Sequence, residues 1–198
     1  MKRIIVALLA IVIAAVGLTA YGFYERGWDT PALRATALAL HVPVARVGSY
    51  TIPYQSYRIH LDAEARFLAG PIAQAQGLSP IVTSEVRTRA LERAMRIAAV
   101  DEMAAEQKIV VTPLDIERVF DGLVAQAASS TTPVEMHAFL QEAFGWTEAD
   151  FKQQVLRPAM LEDVLRNKKF QATKDEGAFE KELQERLHRP DVKRYLKV

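Results

Sequence analysis

The 198-residue chain has no cysteine, which removes disulfides, thiolate nucleophiles and cysteine-bearing zinc sites together. It has little excess of either charge, since 25 basic residues face 24 acidic ones for a formal net charge of +1. Such a balance offers nucleic acid no electrostatic attraction. Phosphate-cradling glycine loops are missing, as is a G-x-S-x-G elbow, so Ser129 and Ser130 read as loop residues rather than nucleophiles. The four histidines, His41, His60, His137 and His188, fall near linkers or on helical faces read as exposed, and none has a second histidine at helical spacing. Carboxylate neighbours such as Glu162-Asp163 suit a solvated helix face, and nothing singles out a catalytic pair. The expectation is a protein without enzymatic activity, with no metal and no cofactor.

One long apolar run is present, from Ile4 to Tyr24, interrupted in character only by Thr19. Its roughly 21 residues would reach about 31 Å as a helix, close to the ~30 Å hydrocarbon core of a bilayer. Lys2 and Arg3 precede it, and Tyr21, Phe23, Tyr24 and Trp28 follow as an interfacial aromatic belt would. The run reads as a single-pass transmembrane helix or signal anchor with its N-terminus inside and the body on the extracytoplasmic side. A cleaved signal peptide is the rival: Ala15-Val16-Gly17 is a small-x-small site, whereas a cut after Ala20 would put Leu18 at the third position before it. The organisation is therefore read as residues 1–24 anchor, 25–43 linker and 44–198 one domain, large enough for a core.

The body is mainly α, an irregular helical bundle with a small β element. Thr30-Pro31 would start a short membrane-proximal helix in the linker. Val44 to Val47 and Tyr50 to Ile52 flank Gly48-Ser49 as a hairpin. From Pro53, Tyr54, Tyr57, Leu61, Ala65, Leu68 and Ile72 recur at helical steps, leaving Arg58 and Asp62 on other faces, until Gly70-Pro71. The longest helix runs from about Thr83 to Gln107. Thr112-Pro113-Leu114-Asp115 starts another, with Ile116, Val119, Phe120 and Leu123 inward, and it ends in the Ser129 to Thr132 loop. Pro133 opens the next helix, with Phe139, Leu140 and Phe144 inward and Gly145 at its end. Thr147 to Asp150 repeats the capping pattern, and Pro158 inside the helix that follows predicts a kink near Val155 to Pro158. Phe179, Leu183 and Leu187 line a last helix, and Asp191 to Val198 alternates as a terminal strand whose partner would be Val44 to Val47. That sheet would join the two ends of the domain.

Three stretches carry a resemblance. Val44 to Tyr57 is similar to the turn-to-helix opening, Ala105 to Asp115 to the helix-to-helix link, and Phe139 to Phe151 to the "GLTExDF"-type cap of the N-terminal, peptide-binding domain of SurA/PrsA-type extracytoplasmic chaperones. That fold is also related to the trigger-factor peptide-binding domain. The three occur in the family's order and cover nearly all of Val44 to Phe170. Val47 stands where asparagine is usual, and Lys108 where glycine is common.

The resemblance implies a chaperone-like protein of the bacterial cell envelope, anchored in the cytoplasmic membrane through residues 4–24 and assisting protein folding. It would bind unfolded or extended segments of exported polypeptides. Family members that isomerise prolyl bonds carry a parvulin domain after the long helix. Only about 28 residues follow Phe170, too few for one, so a peptidyl-prolyl isomerase is the weaker alternative. A structural protein of the same fold docking one envelope partner is the stronger alternative. The expected peptide-binding residues are Tyr50, Tyr54, Tyr57, Phe139 and Trp146, aromatic side chains beside turns.

Overall fold

The computed structural model describes residues 17–27, 29–127 and 133–198. Residues 4–16 of the apolar run, Trp28 and the loop at Ser129 to Thr132 lie outside them. Residues 17–26 form a helix, α1. Among the described residues no helix is long and apolar enough to cross a membrane. The C-terminal end of α1 belongs to the domain. Phe23 is buried, not placed as a belt residue would be, and packs edge-on against Tyr54 with centroids 5.1 Å apart. The Tyr24 hydroxyl donates to the Pro43 carbonyl at 3.1 Å, and the Lys197 amide donates to the Tyr24 carbonyl at 2.9 Å.

Helix α2, Pro31–Ala39, begins as its sequence predicts, with Thr30 accepting from the Leu33 amide and Pro31 at the first turn. It rests on the body through the buried Ala37. Asp29, just before it, ties the segment down. Its carboxylate accepts from Arg34 Nη2 at 2.9 Å, Arg58 Nη1 at 3.1 Å and the Tyr54 hydroxyl at 3.2 Å. Partial burial pushes the Asp29 carboxyl up, but Arg34, Arg58 and Tyr54 outweigh it and hold the group below the usual carboxylate range. Arg58, expected on an outer face, is therefore buried, because Asp29 and Asp62 satisfy its charge there.

Strands β1, Pro43–Val47, and β2, Tyr50–Pro53, form the hairpin, with Val47 opposite Tyr50 and Ala45 opposite Ile52. A two-residue strand β3, Lys193–Arg194, pairs antiparallel with Ala45 and Arg46 on the other edge of β1. The order β2-β1-β3 joins the ends of the domain as expected, over a shorter strand. Central strand β1 buries Val44, Ala45 and Val47 completely.

The helices α3, Tyr54–Ala69, α4, Pro71–Ala75, and α5, Ser84–Glu106, follow. Thr83 caps α5, which buries Leu91, Met95, Val100 and Met103 along its length. Around α5 gather α3, the sheet, α9 (Arg157–Thr173) and α10 (Ala178–Leu187), and Phe179, Leu183 and Leu165 complete the main core. Each such side chain contributes roughly 1.5–3 kcal/mol through burial.

A second, smaller core sits in α6, Pro113–Ala127, α7, Pro133–Phe144, and the start of the next helical stretch. It consists of Ile116, Phe120 and Leu156, with Met136 and Phe151 packed on it. Val119 and Leu123, expected inward, are each 38% exposed, since so small a core covers only one stripe of α6. Ile72 is likewise exposed, because Gly70 starts a new helix direction before it. The capping pairs form as read: Thr112 and Asp115 exchange hydrogen bonds, as do Thr147 and Asp150 at α8, Glu148–Phe151. The disturbance expected before Pro158 takes the form of a π turn, Lys152–Leu156. Proline lacks the amide that would complete the regular ladder, and the wider turn absorbs the mismatch.

Candidate peptide-binding cleft

Helices α3 and α5 and the end of α7 leave an open cavity of about 360 Å³. His60, Ala63, Glu64 and Phe67 face it from α3, at steps of three and four that put them on one helical face. Ala90 and Arg93 face it from α5, and Phe144 and Trp146 from the end of α7. The aromatic wall is continuous. Phe67 stacks on Phe144 at 5.7 Å and 7°, Phe144 stacks on Trp146 at 5.5 Å, and Phe139 meets Phe144 edge-on at 5.7 Å. Such pairs add about 0.5–1.5 kcal/mol each beyond their buried area, which keeps the wall in place.

Gly145 makes this wall possible. Its φ of 71° turns the chain back, so that the Trp146 amide donates to the Leu140 carbonyl at 3.2 Å and the indole folds over Phe144. A Cβ at this position would stand 2.7 Å from Arg66 Nη1, which itself donates to the Gln141 carbonyl. The indole N–H of Trp146 is buried without a hydrogen-bond partner, so ring contacts rather than a hydrogen bond hold the side chain.

A smaller cavity of about 150 Å³ lies on the other side of His60, lined by Tyr50, Pro53, Ser56, Ile97 and Gln154 among others. His60 borders both. It is only 8% exposed, against the expectation of an exposed helical face, and stands edge-on to Trp146 at 6.5 Å. Burial, with the Arg93 charge adding to it, pushes its pKa down to about 4. His60 is thus neutral at pH 7, and folding favours its neutral form. Stability from this group is complete above the ordinary histidine range near 6.5 and falls as pH drops from there toward 4. The expected loss across that window is up to about 3 kcal/mol. Urea unfolding at pH 7 and pH 4 measures it, and His60→Phe should shrink the difference by most of that amount.

Of the five aromatic residues expected to bind peptide, the structure brings Phe139 and Trp146 together through Phe144. Phe139 is 45% exposed and Trp146 half-buried. Tyr50 is half-buried and lines the smaller cavity beyond His60. Tyr54 and Tyr57 are core residues, each 3% exposed, and are corrected as contacts. They pack with Phe23 and border a different, mixed-charge cavity of about 410 Å³ beside Asp29, Arg58, Arg87 and Lys197. Burial pushes the Tyr57 hydroxyl up to about 12, opposed by the nearby Arg87. Phe67, Phe144 and His60, outside the five expected contacts, complete the cleft. The spacing of His60 and Phe67, two helical turns apart, is the signal that ties them to one face.

Among the described residues no group of three or more histidine, aspartate or glutamate side chains could hold a metal ion. Compared with protein-family models, with curated proteins and with solved structures, the chain matches none.

Proposed function

We propose that this chain is a membrane-anchored, extracytoplasmic, chaperone-like protein that holds unfolded or extended segments of exported polypeptides, without catalysing a reaction on them. The observation that carries this reading is the aromatic wall of Phe67, Phe144 and Trp146 lining an open cavity, extended by the 45% exposed Phe139 edge-on to Phe144. An apolar, concave and only half-covered surface rewards burial of apolar side chains from another chain. The motif resemblance to SurA/PrsA-type domains supports the same reading, and the apolar Ile4 to Tyr24 run supports anchoring at the bacterial cytoplasmic membrane. With α1 hydrogen-bonded into the domain at Tyr24, such an anchor would hold the cleft at a fixed attitude to its own end.

A dedicated envelope partner on the same surface is the alternative, favoured by how small the cavities are beside the length of an unfolded chain. The two readings separate in an aggregation assay. An exported protein diluted from denaturant is followed by light scattering with and without the full chain. The chaperone reading expects suppression by the wild type and its loss, by at least about half, in Phe139→Ser, whose side chain lies outside both buried cores. Suppression by neither form would remove the chaperone reading.

A further inference from the structure

Most charges around the aromatic cavity cancel in pairs, and two guanidinium groups are left over. Arg89 is neutralised by Glu64, with Nε donating to Oε1 at 2.9 Å. Glu92 turns toward Arg194 at 3.8 Å, and Arg96 is held by Glu162 and Glu180 at 2.9 and 3.0 Å. Arg93, on the same helix and at the lip of the cavity, has no ion-pair partner among the described residues. Its field reaches inside, since it is the charge that adds to burial in keeping His60 neutral. Arg66, against Gly145 beneath Trp146, spends Nη1 on the Gln141 carbonyl and also has no carboxylate partner among the described residues. A neutral aromatic wall bordered by uncompensated guanidinium groups complements an aromatic side chain with a carboxylate close by in sequence. A lysine in that place would meet repulsion.

We infer that the cleft selects extended segments in which an aromatic residue neighbours an acidic one, with Arg93 the residue that sets this preference. The inference rests on the cleft being a binding site for extended chains. Arg93 reaches the carboxylate while the ring stacks on Phe144 and Trp146, so the two contacts act on adjacent residues of the guest. Because Arg93 is exposed, the charge contact is screened and its contribution modest, a matter of selection rather than of affinity.

The experiment uses the full chain and short dansylated peptides that share their phenylalanines and carry glutamate, glutamine or lysine beside them, with binding read by fluorescence anisotropy. The glutamate peptide should bind about three- to fivefold more tightly than the glutamine peptide at low salt, and the lysine peptide more weakly than either. Arg93→Gln should abolish the ratio between the glutamate and glutamine peptides, bringing the two to one level. Equal binding of all three peptides, or a glutamate preference that survives Arg93→Gln, overturns the inference while leaving the cleft as a binding site. Failure of every peptide to bind the wild type overturns that reading and the inference with it.

Discussion

Phe23→Ala is expected to lower the stability of the domain by about 3–5 kcal/mol, a loss far larger than any change in an anchor outside the fold would produce. Phe23 is 6% exposed and sits in the main core, edge-on to Tyr24 at 5.1 Å and to Tyr54 at 5.1 Å. Truncation removes both ring contacts and leaves a cavity between α1, α3 and the C-terminal residues. Tyr21, on the same helix and 53% exposed, provides the control, because Tyr21→Ala should change stability by less than about 0.5 kcal/mol. Urea unfolding of the two variants measures the contrast. It also bears on how the chain is divided, for a fragment starting at Pro43 would lack Phe23, the Asp29 ion pairs and the whole of α2.

Arg186→Leu is expected to cost about 3–5 kcal/mol, because it leaves Glu102 charged and buried. Arg186 Nη1 lies 2.6 Å from Glu102 Oε2, and its two terminal nitrogens also bond Glu106 at 2.8 and 2.7 Å. Both Arg186 and Glu102 side chains are only 9% exposed. Glu102 lies under the hairpin turn, where it accepts from the Ser49 amide at 3.4 Å, and a Cβ at Gly48 would fall 1.7 Å from Glu102 Oε1. The ion pair therefore fastens α10 to α5 and α5 to the β1–β2 turn at one point. Arg189, 3.5 Å from Glu102, remains as a partial partner and should hold the loss toward the lower end of the range. The double variant Arg186→Leu with Glu102→Leu should recover much of the stability, and a double-mutant cycle reads the coupling directly.

Local signals in the sequence are reproduced closely. Thr112 and Thr147 cap their helices as the sequence predicts, and Thr83 caps the longest one, since a capping side chain and its amide are neighbours in the chain. The terminal strand found β1 because alternation, length and the unpaired hairpin left few partners. What the sequence hid depends on contacts between distant residues. Arg58 looked solvated until Asp29, 29 positions away, came to meet it. His60 looked exposed, yet Trp146 and the flank of α5 cover it. Tyr54 and Tyr57 looked available beside a turn, whereas Phe23, from a segment read as anchor, closes over them. Aromatic composition suggested an apolar groove, but which aromatics line the cavity was decided by the left-handed turn at Gly145.

The proposed role rests on guests entering the cleft at Phe139, Phe144 and Trp146 rather than adhering anywhere on the surface. A benzoylphenylalanine in place of Phe139 puts a photo-crosslinker on that wall, and the same group in place of the exposed Lys181 on α10 serves as the comparison. With a permanently unfolded, reduced and alkylated protein as guest, the account predicts strong crosslinking from position 139 that Phe144→Ala diminishes, and little from position 181. Equal crosslinking from both positions, or none from position 139, would contradict it.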